Sequence, residues 1–167
     1  MSHLSRFLFT VSALGVLWGC HGFRAADEPT DSAAAIALAQ RFLSDLDTGK
    51  IEDLIAISEV PFWGDGDYLK SAEAFEAVAR QEAERPGIQF TGISAAYVVP
   101  FYALEAMNID LYQSMSQTMD VNGLYGVFLS VNTSRTTEER RYTNVETLLV
   151  FVRKNKQGQW RVVGIDD

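Results

Sequence analysis

Apolar positions fall three and four apart through the first half of this chain and two apart through most of the second, so the sequence predicts helices followed by strands. From Ser32 to Asp47, Ile36, Ala39, Phe42, Leu43 and Leu46 share one face, with Asp31 or Ser32 as N-cap and Gly49 in the C-cap role. A shorter helix follows from Ile51 to Ser58, turning Ile51, Leu54 and Ile55 or Ile57 inward. Val60 to Trp63 and Tyr68 to Lys70 flank Gly64-Asp65-Gly66-Asp67, the turn chemistry of a small hairpin. Ser71 caps a third helix that reaches Arg85, with Phe75, Val78 and Ala79 as its inner stripe and Glu76 and Arg80 spaced to pair outside. Pro86-Gly87 stops it.

Past that stop the period changes. Ile88 to Val99 reads as a long strand broken by Pro100. Phe101 to Met119 returns to helical spacing through Leu104, Met107, Leu111, Met115 and Met119, and is expected to form a helical insertion that could serve as a lid. Strands follow at Leu124 to Asn132, Tyr142 to Arg153 and Trp160 to Asp166. Their short connections imply antiparallel neighbours, hence a four-stranded meander and an α+β fold class. The third of these four strands is apolar on both faces, with Val145, Thr147, Leu149 and Phe151 on one and Leu148, Val150 and Val152 on the other. Such a strand needs cover on each side. Helices supply one cover, and a second subunit docked on the sheet face, making a homodimer, is the expected other.

Composition changes this picture at one end only. With 167 residues, 47% of them hydrophobic and 22% charged, the chain has the make-up of a globular protein. Its formal charge of -8 repels phosphate backbones, so no nucleic acid partner is expected. Phe7 to Trp18 is an apolar run of roughly a dozen residues, the length of a signal-peptide core and too short to span a bilayer. The chain therefore divides into an export signal over 1–22, a polar tether over 23–30 and a single domain over 31–167. Leu17-Trp18-Gly19-Cys20 resembles the bacterial lipobox, in which the Cys carries lipid, although Trp18 stands where that pattern takes a small residue. A membrane tether through Cys20 and plain cleavage near Gly22 or Ala25-Ala26 both stay open. Either way the expected location is periplasmic or in the cell envelope.

The cut removes a class of chemistry. Both histidines, His3 and His21, and the lone Cys20 lie before the domain. The domain thus has no Ser-His-Asp or Cys-His site and no His or Cys ligand for zinc, and neither metal nor cofactor is expected.

The stretch Gln40 to Leu54, QRFLSDLDTGKIEDL, resembles the opening helix pair of the SnoaL-like, nuclear-transport-factor-2-like superfamily. The order of helix, helix, hairpin, helix and meander is similar, and so is the closing strand WRVVGID. That resemblance implies helices packed on a curved sheet to form a cone, with the last strand an inner rung. Asp166 and Asp167, at that strand's end, are expected to be solvated. The ketosteroid-isomerase branch uses a Tyr on helix one, an Asp after helix two and a late-strand acid to move a proton beside a stabilised oxyanion. Carried over position by position, these fall on Phe42, on Phe62 or Trp63, and on Leu149, all apolar. Asp65, flanked by glycines, is a turn former and also the one catalytic candidate, as general base.

An aromatic lining for the cone is available instead from Phe42, Phe62, Trp63, Phe75, Tyr97, Phe128, Phe151 and Trp160, with Leu149 beside them. Those rings suit a small apolar ligand, or simply fill the core. Three functions follow: an exported, non-catalytic domain that binds a small apolar ligand or a protein partner; an isomerase or dehydratase using Asp65; and a structural lipoprotein with a filled core.

Overall fold

A computed structural model describes residues 29–64, 66–84, 88–136 and 141–167. The signal segment, Cys20, tether residues 23–28, Asp65 and the predicted Pro86-Gly87 stop lie outside these residues, whereas Pro29 and Thr30, assigned to the tether, are helical, so that Asp31 and Ser32 lie inside the first helix and are not its N-cap. Helix α1 spans Pro29–Asp47, α2 Ile51–Ile57 and α3 Ala72–Ala83. Strands β1, Ser58–Gly64, and β2, Asp67–Leu69, form the hairpin. The long strands are β3, Ile88–Pro100, β4, Leu124–Thr136, β5, Arg141–Lys154, and β6, Trp160–Asp166. Between β3 and β4 lie a 3-10 turn, Phe101–Ala103, and the short helices α4, Leu104–Met107, and α5, Ile109–Thr118.

Helix α1 ends because Gly49 adopts a left-handed φ of 65°, which lets Gly49 N–H bond the Leu46 carbonyl at 3.1 Å and Lys50 N–H bond the Asp45 carbonyl at 2.8 Å. These two bonds satisfy carbonyls that the helix itself cannot, the Schellman arrangement. Ser71 Oγ accepts from the Ala74 N–H at 3.2 Å and starts α3 as expected. Arg80 bonds Glu76 along the outer face. Phe75 and Ala79 are buried, but Val78 is 38% exposed and leaves the inner stripe assigned to it. The predicted helix from Phe101 to Met119 is broken at Asn108, whose Oδ1 accepts from Leu111 N–H at 3.1 Å and caps α5 afresh. The break turns Met107 outward to 53% exposure, while Leu104, Leu111, Met115 and Met119 are buried.

The meander β3-β4-β5-β6 is antiparallel throughout, and β6 is an inner strand. The hairpin joins the same sheet, giving the order β2-β1-β6-β5-β4-β3, with β1 parallel to β6. Asp166 is half-buried opposite Leu149 and Asp167 is exposed.

Side-chain alternation splits the interior into two cores. Beneath α1, α2 and α3, Ala35, Ala39, Phe42, Leu54 and Phe75 pack on Val127, Leu129, Val150 and Val162. On the opposite face, Phe101, Leu104, Leu111 and Met115 cover Trp63, Leu149, Phe151 and Val163. The insertion is therefore the cover for the second face and not a lid over the first. The rest of that second face is open, with Tyr97 49% exposed and stacked on Phe128 at 4.9 Å, and Val145 67% exposed.

Where β6 passes β1 the backbones are close. A Cβ at Gly164 would stand 2.9 Å from both Cβ and carbonyl oxygen of Trp63 and 3.1 Å from the Phe151 ring. Backbone cannot move aside as a side chain can, so Gly164→Ala is expected to cost about 1–3 kcal/mol. Urea denaturation checks this: an unchanged midpoint would mean that β1 and β6 do not approach as described.

Candidate functional site

Three rings occupy the space beneath the helices. Phe42 and Phe62 stack at 5.9 Å between centroids, and Phe62 meets Phe75 at 4.5 Å. All three are buried, so this part of the cone is filled with hydrocarbon. The other proposed lining residues are not with them. Trp63, Leu149 and Phe151 lie in the core on the far face of the sheet, Phe128 packs against that core, and Tyr97 stacks on Phe128. Adjacent residues of a strand point to opposite faces, which is why Phe62 and Trp63 part company.

Trp160 lies elsewhere again, at the wall of an open cleft of about 270 Å³ between the start of α1 and one end of the sheet. Asp31, Ser32 and Ala35 of α1 line one side, and Val98, Pro100, Gly123, Tyr125, Lys154 and Trp160 the other. The α1 face is close because Ala35 is small and fully buried against the sheet. Lys154 and Trp160 are cross-strand partners on β5 and β6, joined by a turn in which Asn155 accepts from the N–H groups of Gln157 and Gln159. That register sets the Lys154 Nζ over the Trp160 ring, 5.2 Å from its centroid. The same ammonium donates to Asp31 Oδ2 at 2.6 Å. The Tyr125 ring meets the Trp160 ring edge-on at 5.7 Å and 72°. An ion pair this exposed contributes about 0–1 kcal/mol to stability, so its geometry says more than its energy.

A second open cleft, of about 360 Å³, runs beside the other half of α1. Gln40, Leu43, Ser44 and Asp47 line it from the helix, and Gly92, Ile93 and Val131 from the sheet.

The titratable pair in the first cleft is the exposed Asp31–Lys154 ion pair. Among the described residues, the buried polar side chains are Asp45, Thr133 and Ser134. Asp45 is engaged by Arg41 Nε at 3.2 Å, and Thr133 Oγ1 donates to Glu146 at 3.0 Å. Glu73 and Asp120 are both pushed below the ordinary carboxylate range, Glu73 by a backbone N–H and then the Ser71 hydroxyl, Asp120 by the Asn122 backbone N–H and then its side chain. A carboxylate held by donors in this way is a poorer base, the opposite of what proton abstraction requires. No cluster of three His, Cys, Asp or Glu that could hold a metal occurs among the described residues, and no helix there is long and apolar enough to cross a membrane.

Sequence reasoning found Trp160 but missed Asp31, Ser32, Tyr125 and Lys154 as its neighbours. The turn from Asn155 to Gln159 could have signalled Lys154, since a short hairpin places its two flanks side by side.

Solved structures resemble this arrangement. Aln2 from a Streptomyces species superposes with a TM-score of 0.55 at 13% identity, over 84% of this chain and 91% of its own. A ketosteroid isomerase-like protein from Erwinia carotovora atroseptica gives 0.53 at 16%, over 83% and 95%. An NTF2-like protein with a cystatin-like fold from Novosphingobium aromaticivorans gives 0.51 at 14%, over 80% and 78%. No family model matches the chain, and no curated protein matches it by sequence. At such identities the likeness lies in the fold alone, α+β with helices on a curved sheet.

Proposed function

We propose that this chain, which has the nuclear-transport-factor-2-like cone fold, is an exported, non-catalytic domain that binds a small, largely apolar molecule in the cleft at Trp160. One observation carries the reading: Trp160 and Tyr125 form a half-buried aromatic wall facing an open cleft that Val98, Pro100 and Ala35 complete. Binding sites for small molecules are concave and mostly apolar, with a few placed polar groups. Lys154, Asp31 and Ser32 are those groups here.

An isomerase-type reaction through Asp65 is the alternative that the fold suggests. It requires donors to an oxyanion, and Phe42 and Leu149, which stand where the resemblance places them, can donate nothing. Export is supported by the apolar run Phe7 to Trp18. A second copy over Tyr97, Phe128 and Val145 would cover the open half of the sheet face, and we include that homodimer in the proposal.

Native mass spectrometry of the purified mature protein, with and without a mixed lipophile extract, tests the reading. A retained small adduct is expected, weakened at least tenfold by Trp160→Ala and little changed by Trp63→Ala on the far face. An adduct indifferent to Trp160, or no adduct at any concentration, would remove the cleft as a binding site. The same spectrum reports whether the protein is a dimer.

A further inference from the structure

The charged groups in the cleft are arranged unequally, and that asymmetry bears on what binds there. From the geometry around Trp160 we infer that the ligand is a lipophilic amine, a small apolar body carrying one protonated amino group; this rests on the binding role proposed above. The Lys154 ammonium now sits between the Asp31 carboxylate, at 2.6 Å, and the Trp160 ring, 5.2 Å from its centroid. A carboxylate and an aromatic face converging on one nitrogen are the elements of an ammonium-recognition site. The chain's own side chain fills it.

Either charge on a ligand could in principle break this pair. A ligand anion would have to replace Asp31, whose carboxylate is held by a single methylene on α1 and cannot retreat far. It would then lie beside that carboxylate and near the electron-rich face of Trp160, both unfavourable to negative charge. A ligand ammonium has only to displace Lys154, whose four-carbon stem can carry its charge out to solvent. Lys154 is exposed enough to make that exchange without crossing the core. Its departure leaves the carboxylate, the Trp160 face and the Tyr125 ring available together. The net charge of -8 adds a long-range field that favours a cation. At about 270 Å³ the cleft suits a free small molecule of modest size.

A matched set of probes with one apolar body tests this: 4-phenylbutylamine, 4-phenylbutanol and 4-phenylbutanoate, titrated by calorimetry at low salt. The amine is expected to bind at least tenfold more tightly than the alcohol and the acid. Asp31→Asn should remove that advantage by bringing the amine down to the affinity of the alcohol, and Lys154→Met should tighten the amine several-fold by removing its competitor. Equal binding of the three probes would overturn the inference and leave the apolar cleft standing. Tightest binding by the acid, abolished in Lys154→Met, would overturn it in favour of an anion site. If none of the three bound, the inference and the cleft reading would fall together.

Discussion

Replacing Phe151 with alanine is expected to lower stability by about 3–5 kcal/mol, the largest effect of any single substitution proposed for this protein. Phe151 is fully buried, and its partners in register on the two neighbouring strands are both glycines, Gly126 and Gly164. Its ring lies over Gly164, 3.1 Å from where a Cβ would stand, and Phe101 closes over it edge-on at 6.2 Å. The neighbours cannot collapse into the vacancy, because those glycines bring nothing to fill it. Phe151→Leu, which keeps most of the volume, should cost much less. Urea unfolding, read as a shift of midpoint at constant slope, separates the two. A loss below about 1 kcal/mol for the alanine variant would mean that this ring is not the centre of the second core.

Excising the insertion should do more than weaken the fold. Pro100 pairs with Tyr125 across β3 and β4, so residues 101–122 can be replaced by a short turn without straining the strands. The excision removes Phe101, Leu104, Leu111, Met115 and Met119 from the second core and bares Trp63, Leu149, Phe151 and Val163. Each large side chain uncovered forfeits about 1.5–3 kcal/mol, and an apolar patch of this extent invites self-association. Size-exclusion chromatography with light scattering should find aggregates or higher oligomers where the parent is a defined species. A variant that kept the parent's oligomeric state and melting temperature would show the insertion to be dispensable cover.

Much of the fold could be read from the residues, because it depends on local pattern. The α1 stripe, the Gly49 stop, the Ser71 cap and the two-faced alternation of β5 all appear where expected. What escaped depends on distance or parity. The parallel pairing of Ser58 with Val162 joins segments far apart in sequence, with no local signature in either. The pattern of β5 shows that its second face needs cover, yet which segment supplies it is a question of three-dimensional placement. Grouping Phe62 with Trp63 in one lining was an error of parity, since neighbours on a strand cannot share a face. Lys154 and Trp160 were within reach through their hairpin, whereas Asp31, 123 residues from Lys154, was not.

The place of β6 in the sheet has a consequence for the order of assembly. Among the described residues it is the one strand that bridges the β2-β1 hairpin and the β5-β4-β3 meander. Until synthesis has delivered Trp160 to Asp166, those two pieces have no shared backbone pairing, and each shows an unsatisfied strand edge. Closure therefore waits on a contact of long sequence separation, which carries the entropic cost of joining distant parts of a chain. Until that strand arrives the facing edges of β1 and β5 stand open together, and a single late addition satisfies both at once.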